Sequence, residues 1–433
     1  MSDVGRVAGG VRERRSLADT LELDKRLFGM IVAFVLLCAG FAVWTGGTFL
    51  SPRNIFNIAV QTVSVGIMAT GMVFVIVARH IDLSVGSLLA MCSAIMAMTQ
   101  AYWLPQNFGL GLGHPLIMPV TILVGLVVGT LIGAFHGWLV GYQGIPSFIV
   151  MLGGLLVWRN LNWYTTNGQS VALTDERILN FGGTEGVLGS TASWIVGGLL
   201  ALGVVLAIVA GRRAKVRHGF AVKPAWAEGL LIAIIAGAIL GFVAVLNAYP
   251  IAPTKLQRQF EAQGLTMPEG YVAYHGIPVS VLLLILVAVG MTVVAQKTRF
   301  GRYIFATGGN PDAAELSGIN TRWLTVKIFS LMGFLCGLAG LVSQARLQSH
   351  GNDIGTLTEL SVIAATVIGG TALAGGIGTI YGAILGALVM QSLQSGMGMV
   401  GVDTPFQNIV VGTVLVRAVW VDIIYRKRTG AMK

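Results

Sequence analysis

The stretch FGMIVAFVLLCAGFAVWTG, residues 28–46, contains no charged residue and is the first of a series of apolar runs. A helix needs about 20 mostly apolar residues to cross the hydrocarbon core of a membrane, and this run has that length. A long polar segment precedes it and many apolar runs follow, which indicates a retained first helix rather than a cleaved signal peptide. We therefore predict that the chain enters a membrane here.

The composition of the whole chain agrees with this prediction. The 433 residues are 55% hydrophobic and 11% charged, with a mean hydropathy of +0.79. Soluble domains carry about 25% charged residues, so a chain this apolar must bury its surface in lipid. We predict an all-α, polytopic transmembrane helical bundle of about 10–12 spans, some of them broken or re-entrant. After the first run, the candidate spans are 55–78, 83–101, 118–142, 147–164, 194–210, 229–248, 276–296, 324–345, 358–373, 376–395 and 404–425.

Basic residues predict the orientation, because the cytoplasmic loops of membrane proteins carry an excess of Lys and Arg. With a cytoplasmic start and twelve spans, the inner segments hold 20 basic residues and the outer segments hold 5. The net charge of +10 follows from this topology, so we expect no nucleic-acid partner. The predicted parts are a cytoplasmic N-terminal tail 1–27, a transmembrane domain 28–425, a cytoplasmic C-terminal tail 426–433, outer loops 165–193 and 249–275, and an inner loop 297–323.

Several kinds of active site are missing from the sequence. The chain has no Gly-Lys pair, and therefore no phosphate-binding loop, and it has no HExxH motif or Cys/His cluster with metal spacing. We therefore expect neither an enzyme nor a metal site. An ion-coupled secondary transporter is the main alternative, but such proteins usually need ionisable residues at mid-membrane. The acids Asp82, Glu359 and Asp422 lie at span boundaries, which weakens this alternative without closing it.

Three motifs occur along the chain: IDLSVGS at 81–87, FGRYIFATGGN at 300–310 with AAELSGIN at 313–320, and IAATVIGGTALAGG at 363–376. Together they resemble the motifs of the membrane-spanning permease subunits of bacterial sugar ABC importers, the ribose, xylose, arabinose and galactose group. The family usually has Gly-Gly before the first motif, where this chain has Arg79 and His80. The resemblance covers about residues 53–425.

The resemblance also implies a substrate and partners. Two extra spans within 194–248, joined by the basic loop 211–217, resemble the D-xylose permeases. The family implies import of a monosaccharide, D-xylose above others, across the inner membrane. It implies an ABC ATPase subunit that binds ATP and Mg, a periplasmic sugar-binding protein, a second permease copy in a homodimer, and surrounding membrane lipid. Outer loop 165–193 is either a docking surface for the binding protein or a plain connector.

The inner loop 297–323 contains a short helical pattern. Asn310 can cap a helix that begins at Pro311, and Gly318 can end it. Its apolar residues either pack against this chain's own spans or, as the resemblance implies, dock as a coupling helix on the ATPase. The residues assigned to this ATPase-coupling loop are Gly301, Arg302, Asn310, Ala314, Glu315, Leu316, Gly318 and Ile319.

A neutral sugar offers only hydroxyl groups, so amide and hydroxyl side chains suffice to line its path. For each candidate, interhelical hydrogen bonding is an open alternative. At Asp82 and Ser84 we expect a helix start where a side chain accepts a backbone N–H, with sugar contact as the alternative. Arg159 lies near the outer end of its span, where a long side chain can snorkel. The candidate sugar-path residues are Asn57, Gln61, Asn160, Gln344 and Gln391, and the helix-break residues are Asp82, Ser84, Gly86, Gly369, Gly370, Gly375 and Gly376.

Overall fold

The computed structural model describes residues 25–220, 222 and 224–428, and most of them are helical. Residues 1–24 of the predicted N-terminal tail, residues 429–433 of the predicted C-terminal tail, Ala221 and Lys223 lie outside the described residues. The first helix begins at Lys25 and the last continues to Arg428, so the predicted tail boundaries at residues 27 and 426 fall within helices.

The helices and strands follow one another along the chain with short connections. The long helices are α1 Lys25–Trp44, α2 Pro52–Val77, α3 Val85–Met98 with a π-helical continuation Thr99–Asn107, α4 Ile117–Gly141, α5 Ser147–Thr166, α7 Gly189–Arg217, α8 Ala225–Leu246, α10 Val279–Lys297, α13 Thr321–Leu347, α15 Ile380–Met399 and α16 Thr404–Arg428. The short elements are a 3₁₀ turn Thr48–Leu50, β1 Val171–Ala172, α6 Glu176–Leu179, α9 Pro253–Ala262, α11 Arg299–Gly309, α12 Pro311–Leu316, β2 Ser349–His350 and α14 Thr358–Ile368.

The lengths of these helices confirm the predicted membrane bundle. Within the described part of the chain, nine helices are long and apolar enough to cross a membrane. Two further helices, α5 and α15, have 20 residues each and the length to cross. The nine are Leu27–Trp44, Pro52–Val77, Val85–Asn107, Ile117–Gly141, Gly189–Arg217, Ala225–Leu246, Val279–Lys297, Thr321–Leu347 and Thr404–Val421.

The segment predicted as a span over 358–373 is not a continuous helix. Helix α14 has 11 residues, which at 1.5 Å per residue is about 16 Å, against a hydrocarbon core of about 30 Å. It therefore forms only a half-length helix. The chain leaves it through a glycine loop, residues 369–379, in which Gly370, Gly375 and Gly376 have positive φ. Helix α15 then begins at Ile380.

Helix α2 lies at the centre of the bundle, and α7 and α8 lie at its periphery. The most apolar window of α2 is 94% buried, against 11% for α7 and for α8. Helix α2 packs against α13, α14 and α15, and α13 in turn packs along α4. A two-residue antiparallel pairing of β1 with β2, with Val171 opposite His350, closes one end of this core.

Candidate functional site

A polar cavity of about 480 Å³ opens between α2, α13, α14, α15 and α16. Its volume lies within the range of about 300–1,000 Å³ that is typical of small-molecule sites. Arg346 and Asp353 contribute charged groups to its wall. The uncharged polar side chains that line it include Gln61, Ser64, Ser343, Ser361, Gln391 and Gln394. Such a wall can exchange hydrogen bonds with the hydroxyl groups of a neutral ligand.

The structure brings two of the five candidate path residues together. Gln61 on α2 and Gln391 on α15 both line the cavity. Asn57 is exposed near the start of α2. Asn160 is exposed and donates to the carbonyl oxygen of Leu156 on its own helix at 2.7 Å. Gln344 is fully buried behind the cavity, and its Oε1 accepts from the Ser93 hydroxyl at 3.4 Å.

The cavity has serine residues that the sequence analysis did not single out. Ser64 and Ser343 bond to each other across α2 and α13 at 2.9 Å. Gln394 donates to the Ser361 hydroxyl at 3.4 Å. A signal for them exists in the sequence, because Ser64 lies three residues after Gln61 and so falls on the same helical face.

Two helix starts meet at the floor of the cavity. Gly86 lies in the first turn of α3, and Gly355, with φ of +74°, belongs to the linker 348–357 that precedes α14. A Cβ atom on Gly86 would overlap the Gly355 carbonyl oxygen and Oε2 of Glu359. Only glycine at 86 allows this approach, so the first motif brings the two helix starts into contact.

Helix α5 holds the linker 348–357 in place. Arg159 donates to the carbonyl oxygen of Ile354 at 2.7 Å and to that of Asn352 at 3.3 Å. The Thr166 hydroxyl donates to Oδ1 of Asn352 at 3.1 Å. Arg159 therefore bonds to the linker carbonyls inside the bundle rather than snorkelling to the surface.

Asp82 and Ser84 form the turn that starts α3. Oδ1 of Asp82 accepts from the Ser84 amide at 2.8 Å and from the Ser84 hydroxyl at 2.6 Å. Both residues are buried, and neither lines the polar cavity. In this geometry the Asp82 side chain accepts a backbone N–H at a helix start, as the sequence analysis expected.

The predicted ATPase-coupling loop has two short helices, α11 and α12. The Asn310 side chain accepts from the Ala313 amide at 3.0 Å, and Gly318, with φ of +83°, follows the end of α12. Ala314 is buried, whereas the apolar side chain of Leu316 is 90% exposed. Residues two positions apart lie on different sides of a helix, so Ala314 faces the bundle while Leu316 faces solvent. Ile319 is half-buried, Arg302 and Glu315 are exposed, and a Cβ on Gly301 would overlap the carbonyls of Val294 and Ala295.

Three backbones meet where this loop contacts the bundle, and we call this the glycine junction: Val77 at the end of α2, Gly308 at the end of α11, and Gly375 and Gly376 of the glycine loop. The Gly376 amide donates to the Val77 carbonyl oxygen at 2.9 Å. A Cβ on Gly308 would overlap that same carbonyl. Gly369, earlier in the glycine loop, packs equally closely on the backbone of Gly382. The predicted coupling loop is therefore in direct contact with the end of α2 and with the glycine loop.

A family model described as branched-chain amino acid transport system / permease component matches residues 54–419. The chain belongs to this permease family. Xylose transport system permease protein XylH of Haemophilus influenzae is 37% identical to it over 406 residues, which cover 94% of this permease and 98% of the relative. XylH of Escherichia coli is 37% identical over 407 residues, 94% of each chain.

Other relatives extend the same class. Ribose import permease protein RbsC of Escherichia coli is 32% identical over 374 residues, which cover 86% of this permease and 87% of the relative. No solved structure matches the chain. These relatives are transport permeases rather than enzymes, and they confirm the resemblance to sugar importer permeases inferred from the three motifs.

Proposed function

We propose that this permease is the membrane-spanning subunit of an ATP-driven ABC importer that carries a monosaccharide, D-xylose, across the bacterial inner membrane. The observation that carries the proposal is the near full-length similarity to two xylose permeases, each covered over at least 94% of its length. The extra helices α7 and α8, which the sequence analysis associated with xylose permeases, support the same substrate.

The polar cavity is the proposed sugar site. A pentose is neutral, so it can be bound by the amide groups of Gln61 and Gln391 and by the serine hydroxyls beside them. Neutral hydrogen bonds contribute about 0.5–1.5 kcal/mol each, which holds a sugar and still releases it. A transporter needs this weak binding, because the substrate must leave on the other side.

The coupling loop is the proposed contact with the ATPase, on the cytoplasmic side of the membrane. A 90% exposed leucine beside Glu315 and Asp312 suits an interface in which an apolar side chain is surrounded by charged residues. ATP and Mg bind to the ATPase, and ATP-driven closure moves α11 and α12. A periplasmic sugar-binding protein delivers the sugar at the opposite end, and two permease copies form the membrane unit.

Reconstitution in proteoliposomes tests this function. The permease, together with its ATPase and sugar-binding protein, is expected to accumulate radiolabelled xylose only when ATP is present. The permease alone, under an imposed proton or sodium gradient, is expected to accumulate none. Uptake driven by an ion gradient without the ATPase would contradict the proposal and show that the protein is a secondary transporter.

A single substitution tests the role of the coupling loop. Leu316→Asp is expected to lower ATP-driven uptake at least about tenfold, because an interface anchor contributes about 2 kcal/mol to association. Leu265→Asp is the matched control, since Leu265 is also exposed but lies in the connection between α9 and α10. If Leu316→Asp lowers ATP-driven uptake no more than Leu265→Asp does, the loop does not bind the ATPase. Membrane insertion, followed by immunoblotting, should be the same for both.

A further inference from the structure

Arg79 occupies a backbone position that favours glycine. Helix α2 ends with the amide of Arg79 bonded to the carbonyl of Ile76 and the amide of His80 bonded to the carbonyl of Val75, at 2.9 and 3.0 Å. This is the pattern of a Schellman motif, in which the residue after the helix adopts the left-handed conformation. Arg79 accordingly has φ of +68°. A side chain at this position is disfavoured unless it has contacts that compensate.

The side chain of Arg79 has such contacts, far away in sequence. Its Nε donates to the carbonyl oxygen of Gly308 at 2.8 Å, and its Nη2 donates to that of Gly309 at 2.9 Å. These are the last carbonyls of α11, which have no partner within their own helix. A cation at a helix C-terminus also interacts favourably with the helix dipole. The planar guanidinium engages the two carbonyls from two different nitrogens in a fixed geometry, whereas an ammonium group has all its donors on one nitrogen.

These bonds connect the two moving parts of the proposed transport cycle. On one side of Arg79 lies α11, which continues through Asn310 into α12 and the exposed Leu316. On the other side lies the segment 80–84, which leads into α3 and the contact between Gly86 and Gly355 at the cavity floor. The glycine loop is fitted against the same side chain, because a Cβ on Gly375 would lie 2.5 Å from Cγ of Arg79.

We propose that Arg79 is a positioning residue that transmits the movement of the ATPase-coupling loop to the helix break at the cavity floor. The inference rests on the proposed function of an ATP-driven importer. Arg79 touches neither the sugar nor the nucleotide. It acts by fixing the C-terminus of α11 to the segment that carries Asp82, Ser84 and Gly86, so that displacement of the loop displaces the start of α3.

Substitution by glycine separates this role from a role in folding. Arg79→Gly suits the positive φ, so the variant is expected to insert and to unfold at the same temperature as the wild type, or higher. In proteoliposomes with the ATPase and the binding protein, the number of sugars imported per ATP hydrolysed is expected to fall at least about tenfold, because glycine removes both hydrogen bonds of the charged group to α11. ATP hydrolysis itself continues.

Two further variants complete the experiment. Arg79→Lys keeps the charge but has its donors on a single nitrogen, and is expected to recover part of the coupling ratio. Asn167→Gly relieves another positive φ, that of +51° at the end of α5, and is expected to leave the ratio unchanged. If Arg79→Gly imports as many sugars per ATP as the wild type, or if it only unfolds more easily, Arg79 is not a coupling residue. If the wild type shows no ATP-driven uptake, the proposed function fails instead.

Discussion

Two helix pairs in this permease contain many glycines, and they use them in opposite ways. In α4, Gly125, Gly129, Gly133, Gly137 and Gly141 recur every four residues. At Gly129, Gly133 and Gly137, an added Cβ would lie against the backbone of α13. In the peripheral pair α7–α8, only Gly197 is close to another helix, at Val243. Gly203 and Gly237 have open space beside them.

The difference shows which helices determine how this bundle packs. Helices in lipid gain little from the hydrophobic effect when they associate, so close backbone contact and van der Waals packing hold them together. The α4–α13 pair has this contact from Gly125 to Gly141, and α13 contributes Ser343 and Arg346 to the cavity wall. The α7–α8 pair, whose surfaces are mostly open, contributes little to the same core. Substitutions in the two pairs should therefore have unequal effects.

The largest expected effect is at the centre of the packed pair. In Gly133→Ala, the new methyl group overlaps the carbonyl of Phe329 on α13, so the two helices must move apart. Overpacking of this kind costs about 1–3 kcal/mol. We expect a lower unfolding temperature in detergent and a loss of most ATP-driven uptake.

Gly237→Ala on α8 is the matched control for this substitution. It exchanges the same residue types within a helix, at an exposed position. Alanine has the higher helix propensity, so stability should stay the same or rise by up to about 1 kcal/mol. If Gly133→Ala and Gly237→Ala unfold at the same temperature, the glycines of α4 do not pack the core more closely than those of α8, and the proposed difference between the two pairs is wrong.

A smaller effect is expected inside the cavity that the packed core encloses. Gln391→Ala removes an amide from the proposed sugar path. It should raise the xylose concentration needed for half-maximal uptake about three- to tenfold, as expected for one lost hydrogen bond. Asn160→Ala is the control, since Asn160 is also an amide on a long helix but is exposed and bonded to its own helix.

The two variants are compared by uptake kinetics at equal permease density, measured over a range of xylose concentrations. A shift in Asn160→Ala as large as that in Gln391→Ala would place the sugar path outside the cavity. If only Gln391→Ala raises the xylose concentration needed for half-maximal uptake, the sugar passes through the cavity.

Much of the fold could be predicted from the sequence, because apolar runs of about 20 residues report membrane helices directly. The glycine repeat of α4 was overlooked, although its four-residue spacing is a recognised signal of close helix packing. The shape of the chain after α14 is harder to predict, although Gly369 and Gly370 were expected to break a helix there. The apolar pattern of α14 continues into the glycine loop, and the sequence does not show which glycines take positive φ.

The site was predictable to a lesser degree. The residue type of Gln61 and Gln391 suggested a sugar path, but the same argument selected Asn160, which faces outward. Amide side chains look alike in sequence whether they face a cavity or the membrane. The contact of Arg79 with Gly308 joins residues 229 positions apart. It depends on how α2 and α11 are placed in three dimensions, and no local pattern reports that.

The smallest expected effect lies where the peripheral pair is fastened to the core. Tyr249 follows the end of α8, and the ring of His275 stacks on it with 4.3 Å between the ring centroids. The same His275 ring contacts Phe56 of α2. Burial lowers the pKa of His275 below its ordinary value, so the folded protein keeps this ring neutral. The stabilisation is complete above the pKa of the unfolded state, about 6.5. It is lost as the pH falls, because only the unfolded state then binds the proton.

His275→Phe keeps an aromatic ring at this position and cannot titrate. The unfolding temperature of the wild type should therefore fall more between pH 7.5 and pH 5.5 than that of His275→Phe, while His218→Phe, at an exposed position after α7, should behave like the wild type. Identical pH responses in all three proteins would mean that His275 does not fasten the pair. A smaller pH response in His275→Phe alone would show that the neutral His275 ring stabilises the attachment of the peripheral pair to α2, whereas α4 and α13 are held by close backbone contact.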